Sequence, residues 1–384
     1  MVYIHVPFCR SFCIYCDFYS EICSPDKDRS GGLDNVEASG IASDRDIDVW
    51  TGEVSAEALA RQQEIADGIA AGSPDTLYIG GGTPSLLPLT ALERILKALP
   101  EGCGKDEFTV EVNPDDIARR GPEYVLGLKA LGVSRVSMGI QSFDDRMLRW
   151  MRRRHDSAAA VKAFGILREA GIENISIDLM FGIPGLSKEV WKDSIDRAVA
   201  LSPEHISAYQ LMIEEGSDLA GLIGSGALGE APEEECREQY GMLCAVLSAA
   251  GYGHYEISNW AKPGRRARHN YAYWQRLPYV GLGPGAHSLS RVQSLDGQRE
   301  VRSWNEQKLH GYGRGEEVLS EKERREEKIM LALRTSDGIE ASALANCPAA
   351  EELLKEGALV RCSDRIRIPE DRFFVSDDII SGLF

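Results

Sequence analysis

The sequence predicts an α/β protein, in which a parallel sheet of six strands alternates with helices and a smaller α+β region follows. Strand-like apolar runs and segments with helical spacing alternate from residue 2 to about residue 216. Polar or glycine residues end each run, as they do where sites form at the carboxyl edge of a parallel sheet. The 384 residues, of which 43% are hydrophobic, suffice for one large unit and a smaller one.

The six predicted strands are apolar runs that end in turn-forming or polar residues. They cover residues 2–8, 76–82, 107–114, 135–142, 174–185 and 205–216. Apolar residues at helical spacing predict helices between the later strands, at 89–99, 123–132, 158–171 and 190–202. Gly132 and Gly171 are typical C-terminal caps of two of these helices. Repeated βα units imply a parallel sheet that is either curled into a barrel or left open.

Two regions depart from this alternation. Residues 21–55 are rich in Ser, Gly and Asp, which predicts a flexible insertion. Beyond about residue 230 the pattern changes, so we predict one domain over 1–230 and a second over 231–384. The stretch at about 320–384 has the pattern helix, helix, short strands and helix, which is typical of a winged-helix-like module. Such modules often bind DNA, but this one has no concentrated basic face, and they also serve as lids.

Charge and hydropathy exclude several classes of function. The formal net charge of −17 repels phosphate backbones and argues against nucleic acid as a partner. No apolar stretch reaches the roughly 18 residues that a membrane helix needs, and no signal peptide is recognisable. The sequence therefore predicts a cytoplasmic protein, and it leaves peripheral membrane association and a homodimer open.

Three of the nine cysteines, Cys9, Cys13 and Cys16, form the pattern C-x3-C-x2-C. The other six are scattered, and an odd number does not suggest a disulfide framework. Zinc sites usually have four ligands, so zinc would need a fourth from elsewhere, such as Cys23 or His5. Three thiolates on a compact loop favour a [4Fe–4S] cluster with one iron open to a non-protein ligand.

The cysteine loop resembles the signature of radical S-adenosylmethionine (SAM) enzymes, with Tyr15 in the aromatic position before the last cysteine. The segment "GGGTPS", at Gly80–Ser85, follows the second predicted strand, and in that superfamily the backbone there binds the amino group of SAM. The resemblance implies a partial (β/α)6 barrel, a [4Fe–4S] cluster on the three cysteines, and bound SAM.

The residues that this resemblance assigns to SAM are Tyr3, Tyr15, Phe18, Gly80, Gly81, Gly82, Thr83, Glu111, Gln141 and Asp178. Arg154 has a weaker assignment of the same kind. Buried carboxylates and amides also occur as structural hydrogen-bonding groups, so a structural role is the alternative for Glu111, Gln141 and Asp178.

Motifs along most of the chain resemble the family of oxygen-independent coproporphyrinogen oxidase-like proteins. They occur in the family order and include "YIHVPFC", "YIGGGTPS", "VEVNP", "GIQSF", "DLMFGIPG" and "YEISNWA"; residues 21–55 match poorly. The coproporphyrinogen dehydrogenases have a fourth cysteine two residues after the third, where this chain has Phe18. HemW-type heme chaperones have "CDF" there and H-N-x-x-Y-W later, as at Cys16–Phe18 and His269–Trp274. The chaperone branch is therefore the closer match.

The chaperone resemblance implies heme as cargo. The predicted heme-binding residues are His269, Arg265, Arg266, Arg268, Tyr273 and Trp274. The histidine is predicted as an axial iron ligand, the aromatic rings as porphyrin contacts, and the arginines as partners of the two propionates. A structural histidine beside a solvated basic turn is the alternative, and His287 in "GPGAHS" is the second candidate ligand.

The implied function is to bind heme and hand it to a heme-requiring apoprotein, such as a respiratory enzyme. One alternative is an oxygen-independent coproporphyrinogen III dehydrogenase, which decarboxylates its substrate to protoporphyrinogen IX. A tRNA-modifying radical enzyme is disfavoured by the acidic net charge. A zinc-bound structural module is the remaining alternative.

Overall fold

The computed structural model describes residues 1–23, 41–294, 297–345 and 347–384, which form two units that interleave along the chain. The first unit contains Met1–Ile175, Met212–Gly229 and Pro278–Glu317. The second contains Ser176–Leu211, Glu230–Leu277 and Val318–Phe384. The chain passes between the units more often than a single boundary at residue 230 implies. The domains 1–230 and 231–384 stay a prediction.

The secondary structure alternates between strands and helices through most of the described chain. The strands are β1 (Val2–Val6), β2 (Phe8–Cys9), β3 (Glu21–Cys23), β4 (Ile41–Ala42), β5 (Thr76–Gly81), β6 (Glu107–Val112), β7 (Arg135–Gln141), β8 (Ile175–Phe181), β9 (His205–Gln210), β10 (Gly253–Glu256), β11 (Asn259–Ala261), β12 (Val280–Leu282), β13 (His287–Ser294), β14 (Gly297–Asn305), β15 (Arg314–Val318), β16 (Ile339–Glu340), β17 (Val360–Cys362) and β18 (Arg365–Arg367). The α-helices are α1 (Asp44–Ala60), α2 (Gln62–Ala70), α3 (Leu89–Ala98), α4 (Pro114–Ala130), α5 (Asp145–Trp150), α6 (Ser157–Glu169), α7 (Lys188–Leu201), α8 (Asp218–Gly224), α9 (Glu233–Ala249), α10 (Arg268–Trp274), α11 (Glu321–Leu333), α12 (Pro348–Lys355) and α13 (Ser376–Ser381). In the part of the chain that the structure describes, none of these helices is both long and apolar enough to cross a membrane.

A parallel sheet with the strand order β12–β1–β5–β6–β7 forms the core of the first unit. Val2, Ile4 and Val6 of β1 are fully buried, as expected for a strand with neighbours on both sides and helices over the sheet. The predicted strand 2–8 is split at Pro7, because proline has no N–H to donate to a strand ladder. Beyond Pro7, β2 forms a separate small parallel sheet with β3 and β4.

Helix α1 occupies part of the stretch that was predicted to be a flexible insertion. Ser43 caps the helix in a reciprocal arrangement with Asp46. Ile47, Trp50 and Val54 are buried, at the spacing of one helix face. The prediction of flexibility over 21–55 is therefore wrong for residues 44–55, because the polar composition concealed this apolar face. Residues 24–40 of the same stretch lie outside the described residues.

In the second unit, strands pair in the order β8–β9–β11–β10; β8 and β9 are parallel and the other pairs antiparallel. Buried side chains link its strands. Ser176 Oγ is 2.7 Å from His205 Nδ1, and His205 Nε2 is 2.8 Å from the Tyr255 hydroxyl. The same unit carries the C-terminal elements, whose short strands form the antiparallel order β16–β18–β17. The winged-helix assignment of these elements stays a prediction.

Glu256, at the end of β10, is a fully buried carboxyl group. The Ser258 backbone N–H donates to one carboxyl oxygen at 3.1 Å, and Asn259 Nδ2 donates to the other. Burial raises the pKa of Glu256 from 4.5 to about 8, more than the Ser258 hydrogen bond lowers it. The folded protein therefore holds this group protonated at neutral pH.

Trp50→Ala is expected to destabilise the first unit by about 3–5 kcal/mol, because it removes a fully buried ring. The Trp50 ring packs edge-on against Phe8, with centroids 5.5 Å apart. Trp50→Phe is the matched control and should cost less, since a ring remains and Trp50 Nε1 has no hydrogen-bond partner to lose. Free energies of unfolding from urea titration provide the measurement. Equal stability of Trp50→Ala and wild type would contradict the packing of α1.

Glu256→Gln is expected to weaken the pH dependence of stability. Between about pH 5 and pH 8 the unfolded chain has released the Glu256 proton while the folded chain retains it, so wild-type stability falls as the pH rises. The neutral amide does not titrate, and Asn259 Oδ1, which has no hydrogen-bond partner, can turn to accept from it.

The free energy of unfolding of Glu256→Gln, relative to that of wild type, should therefore increase as the pH rises across that range. The total increase is about 1.4 kcal/mol for each unit of the pKa shift. Glu352→Gln, at an exposed position of α12, is the control and should follow wild type. Parallel pH profiles for Glu256→Gln and wild type would show that Glu256 is not protonated in the folded state.

Candidate functional site

The three clustered cysteines lie on the loop between β2 and β3 of the first unit. Cys9 is the last residue of β2. Cys13 and Cys16 lie in a turn in which the Cys16 N–H donates to the Cys13 carbonyl at 3.2 Å. Ile14, between them, is buried; its N–H donates to Met151 and its carbonyl accepts from Leu219. The loop is thus anchored at its centre, while the three thiols are half-buried and free of disulfides.

The thiols have polar neighbours that suit metal ligands. Arg153 Nη1 donates to Cys13 Sγ at 3.3 Å, and the Thr83 hydroxyl lies 3.5 Å from Cys9 Sγ. Burial raises the pKa of Cys9, and it raises that of Cys16 to about 11. These two thiols therefore hold their protons at neutral pH until a metal displaces them.

The donor set fits an iron–sulfur cluster better than a zinc ion. Cys23 is buried in β3, and both ring nitrogens of His5 are engaged, with the Tyr3 hydroxyl and the Tyr19 carbonyl. Among the described residues, no three His, Cys, Asp or Glu side chains converge on the position of a single metal ion. A four-iron cluster is wider than one ion, so its three thiolates need not converge on one point.

The glycines after β5 lie against the start of the cysteine loop. The Gly82 N–H donates to the Val6 carbonyl at 2.8 Å. A Cβ atom on Gly82 would be 2.6 Å from the Phe8 carbonyl oxygen, and one on Gly81, where φ is +105°, would be 2.6 Å from the His5 ring. Only glycine permits this approach. The segment therefore has a packing role, and its predicted contact with SAM stays a prediction.

Glu111 is held beside the same glycines. Its carboxylate accepts from the Tyr78 hydroxyl at 2.7 Å and from the Gly81 N–H at 3.1 Å. Tyr3 lies next to Tyr78, with ring centroids 6.1 Å apart, and its pKa is raised by burial and further by the charge of Glu111. The structure thus brings Tyr3, Glu111 and the glycine segment together in the first unit.

The other residues predicted to bind SAM are more dispersed. Gln141 ends β7 in a left-handed backbone conformation with φ of 67°. Tyr15 is half-buried on the cysteine loop, whereas Phe18 is 70% exposed. Asp178 lies on β8, in the second unit. Their roles toward SAM stay predictions.

Arg153 was not predicted from the sequence, and Arg154 was predicted only as a weak SAM contact. Arg153 Nη2 also donates to the Gly139 carbonyl at 2.6 Å. Arg154 bonds to both Asp115 and Asp116, each at 3.0 Å, and Asp116 also accepts from the Ser85 hydroxyl at 2.8 Å. The signal for both was the basic run at 152–154, which directly follows β7 and α5.

The residues predicted to bind heme lie in the second unit, in and before α10. His269 is fully buried, and its Nε2 is 3.1 Å from the hydroxyl of Tyr273, one helical turn later. The three arginines are exposed, while Tyr273 and Trp274 are half-buried. Arg266 pairs with Asp337 at 3.3 Å. Ligation of iron through Nε2 would require the bond to Tyr273 to break, and the His269 assignment stays a prediction.

His287, the second candidate, is exposed at the start of β13 in the first unit. Its ring lies 6.4 Å from that of Trp304.

Comparisons with known proteins agree with this architecture. The model of the radical SAM superfamily matches residues 3–198. The chain is 35% identical to "Heme chaperone HemW" of Synechocystis sp., with 94% of this chain and 84% of that protein covered. It is 34% identical to the protein of the same name from Bacillus subtilis, with 88% and 84% covered. Among solved structures, coproporphyrinogen III oxidase (HemN) from Escherichia coli aligns with a TM-score of 0.72 at 17% identity, covering 100% of this chain and 89% of that one.

The structural alignment confirms the predicted α/β fold, since it extends over the whole chain. At 17% identity it carries no information about activity. The family model covers half of the chain, and the curated relatives extend the match over most of the remainder. This chain therefore belongs to the radical SAM superfamily and, within it, to the HemW family.

Proposed function

We propose that this protein is a heme chaperone, which binds heme, a [4Fe–4S] cluster and SAM and delivers heme to an apoprotein client. The observation that carries the proposal is the match to curated proteins named heme chaperone HemW, at 31–35% identity over most of both chains. Phe18 supports it, because it occupies the position of the fourth cysteine of the coproporphyrinogen dehydrogenases. Respiratory enzymes are the client class that the resemblance implies.

The first unit provides the cofactor site in this proposal. Cys9, Cys13 and Cys16 hold the cluster, which when bound supplies an electron to SAM. The guanidinium of Arg153 donates a hydrogen bond to Cys13 Sγ at 3.3 Å and so holds this sulfur in place. Glu111 is kept in place by Tyr78 and the Gly81 N–H, and it is proposed to orient a polar group of SAM.

The cellular setting rests on the sequence. A cytoplasmic location, a homodimer and peripheral contact with a membrane stay predictions. The winged-helix-like region is proposed to act without nucleic acid, in keeping with the net charge of −17.

Cys13→Ala is expected to lose most of its iron and sulfide after anaerobic reconstitution, because two thiolates do not retain a cluster that needs three. Cys362→Ser is the matched control, since Cys362 is exposed on β17 of the second unit and far from the cysteine loop in sequence. Iron and acid-labile sulfide per chain, together with the visible absorbance spectrum, provide the measurement. A Cys13→Ala protein with the wild-type cluster spectrum would contradict the ligand assignment.

Heme-loaded protein is expected to transfer heme to a heme-free b-type cytochrome domain, which then gains its holo spectrum. Serum albumin loaded with the same heme is the control donor, and it should transfer heme more slowly because it recognises no client. The anaerobically reconstituted protein should form no protoporphyrinogen IX from coproporphyrinogen III with SAM and a reductant. Robust porphyrinogen turnover would replace the chaperone by the dehydrogenase as the function of this chain.

A further inference from the structure

A buried carboxylate in the first turn of α4 is contacted by three separate segments of the first unit. Asp116 is only 2% exposed. The Arg154 guanidinium donates to both of its oxygens, each at 3.0 Å, and the Ser85 hydroxyl donates to one of them at 2.8 Å. Arg10 Nε lies 3.9 Å from the other oxygen. A single side chain thus joins residues from before, within and after the sheet strands β5 to β7.

Two of these partners are adjacent to groups at the first predicted cluster ligand. Arg10 directly follows Cys9 on the cysteine loop. Ser85 comes two residues after Thr83, whose hydroxyl lies 3.5 Å from Cys9 Sγ. Any movement of Arg10 or Ser85 is therefore passed to Cys9 through no more than two residues of backbone.

The third partner is adjacent to the group that holds a second thiol. Arg154 directly follows Arg153, which donates to Cys13 Sγ at 3.3 Å. The Arg154 side chain also donates to Asp115 at 3.0 Å and is only 15% exposed, so two neighbouring carboxylates fix it. Its position in turn constrains where the Arg153 guanidinium can lie.

The start of α4 gives Asp116 a rigid support. Asn113 caps the helix, because its side chain accepts from the Asp115 N–H at 3.0 Å. The Asn113 N–H donates to the Ser85 hydroxyl at 3.0 Å, and Ser85 is fully buried. The carboxylate therefore lies in a closed set of hydrogen bonds, as expected of a residue that orients others.

Charge adds a second effect to this geometry. Arg10 and Arg154 bring two positive charges next to the loop, and Asp116 is the carboxylate that both of them approach. A buried charge is screened less by water and salt than an exposed one, so it acts over a longer distance. The reduction potential of an iron–sulfur cluster depends on such nearby charges.

We propose that Asp116 is a positioning residue of the iron–sulfur site, which holds Arg10 and Arg154 beside the cysteine loop and balances their charge. Through these arginines it influences how firmly the cluster is retained and how readily the cluster accepts an electron. This inference rests on the proposed function and deepens its cofactor site. It adds to the three cysteines a residue that acts on them through other side chains.

A redox titration of the anaerobically reconstituted full-length protein, without SAM, measures the midpoint potential of the cluster. Asp116→Asn removes a negative charge and should shift the potential to a more positive value, since the arginines then favour the added electron. Arg154→Gln removes a positive charge and should shift it to a more negative value. The double variant should return close to wild type, which a loss of packing alone does not predict.

The rate at which a chelator removes iron is the second readout. Asp116→Asn should lose iron about tenfold faster than wild type, because the two arginines are no longer held. Asp75→Asn is the matched control. Asp75 is also buried and accepts from the Gly104 N–H at 2.9 Å, but it precedes β5 and so lies at the opposite end of that strand from the glycine segment. It should change neither the potential nor the rate of iron loss.

Shifts of the same sign in both single variants, or wild-type potentials in both, would overturn the role of Asp116 and leave the chaperone proposal intact. Should Asp116→Asn fail to fold, Arg154→Gln is read alone: a more negative potential supports the inference, and an unchanged one overturns it. A wild-type protein that takes up no cluster would instead contradict the cofactor site of the proposed function.

Discussion

The close backbone contact between the glycines after β5 and the start of the cysteine loop is the constraint on which the cofactor site depends. Val6 and Phe8 present carbonyl oxygens to Gly82 at a distance that no side chain permits. This contact sets where β2 begins and hence where Cys9 lies. It also places the Gly81 N–H where it can donate to Glu111. The close contact at Gly82 thus fixes Cys9, the glycine segment and the Glu111 carboxylate relative to one another.

Three consecutive arginines make further contacts with the cysteine loop and with the segments beside it. Arg152 pairs with Asp218, Arg153 with the Cys13 sulfur, and Arg154 with Asp116, which also binds Ser85. Consecutive residues thereby connect α8, the loop and the segment after β5. Because Arg152 and Arg154 are paired with aspartates, Arg153 is the member of this run whose charge lies against the thiol cluster.

The sequence was informative where chemistry is tied to spacing, and less so where it depends on burial. The βα rhythm predicted the strands β1, β5, β6, β7, β8 and β9 but missed β10, β11 and β12. The cysteine spacing predicted three thiols on one compact loop. Helix α1 was missed because the apolar residues around Trp50 lie in a stretch of polar composition. The split at Pro7 was missed because β1 and β2 are continuous in hydropathy. Likewise, H-N-x-x-Y-W does not indicate which way its histidine points, and only the structure shows that His269 is internal while His287 is exposed.

The parallel pairing of β1 with β12 has a consequence for the biosynthesis of this protein. Val2 lies opposite Val280, so the sheet of the first unit closes only when most of the chain has left the ribosome. Pairings between distant segments form slowly, because a long loop must close first. Until then the β1 edge stays unpaired and the cysteine loop lacks its final support. The Ile14 carbonyl of that loop accepts from the Leu219 N–H, so the loop also gains an anchor only after residue 219 has been made.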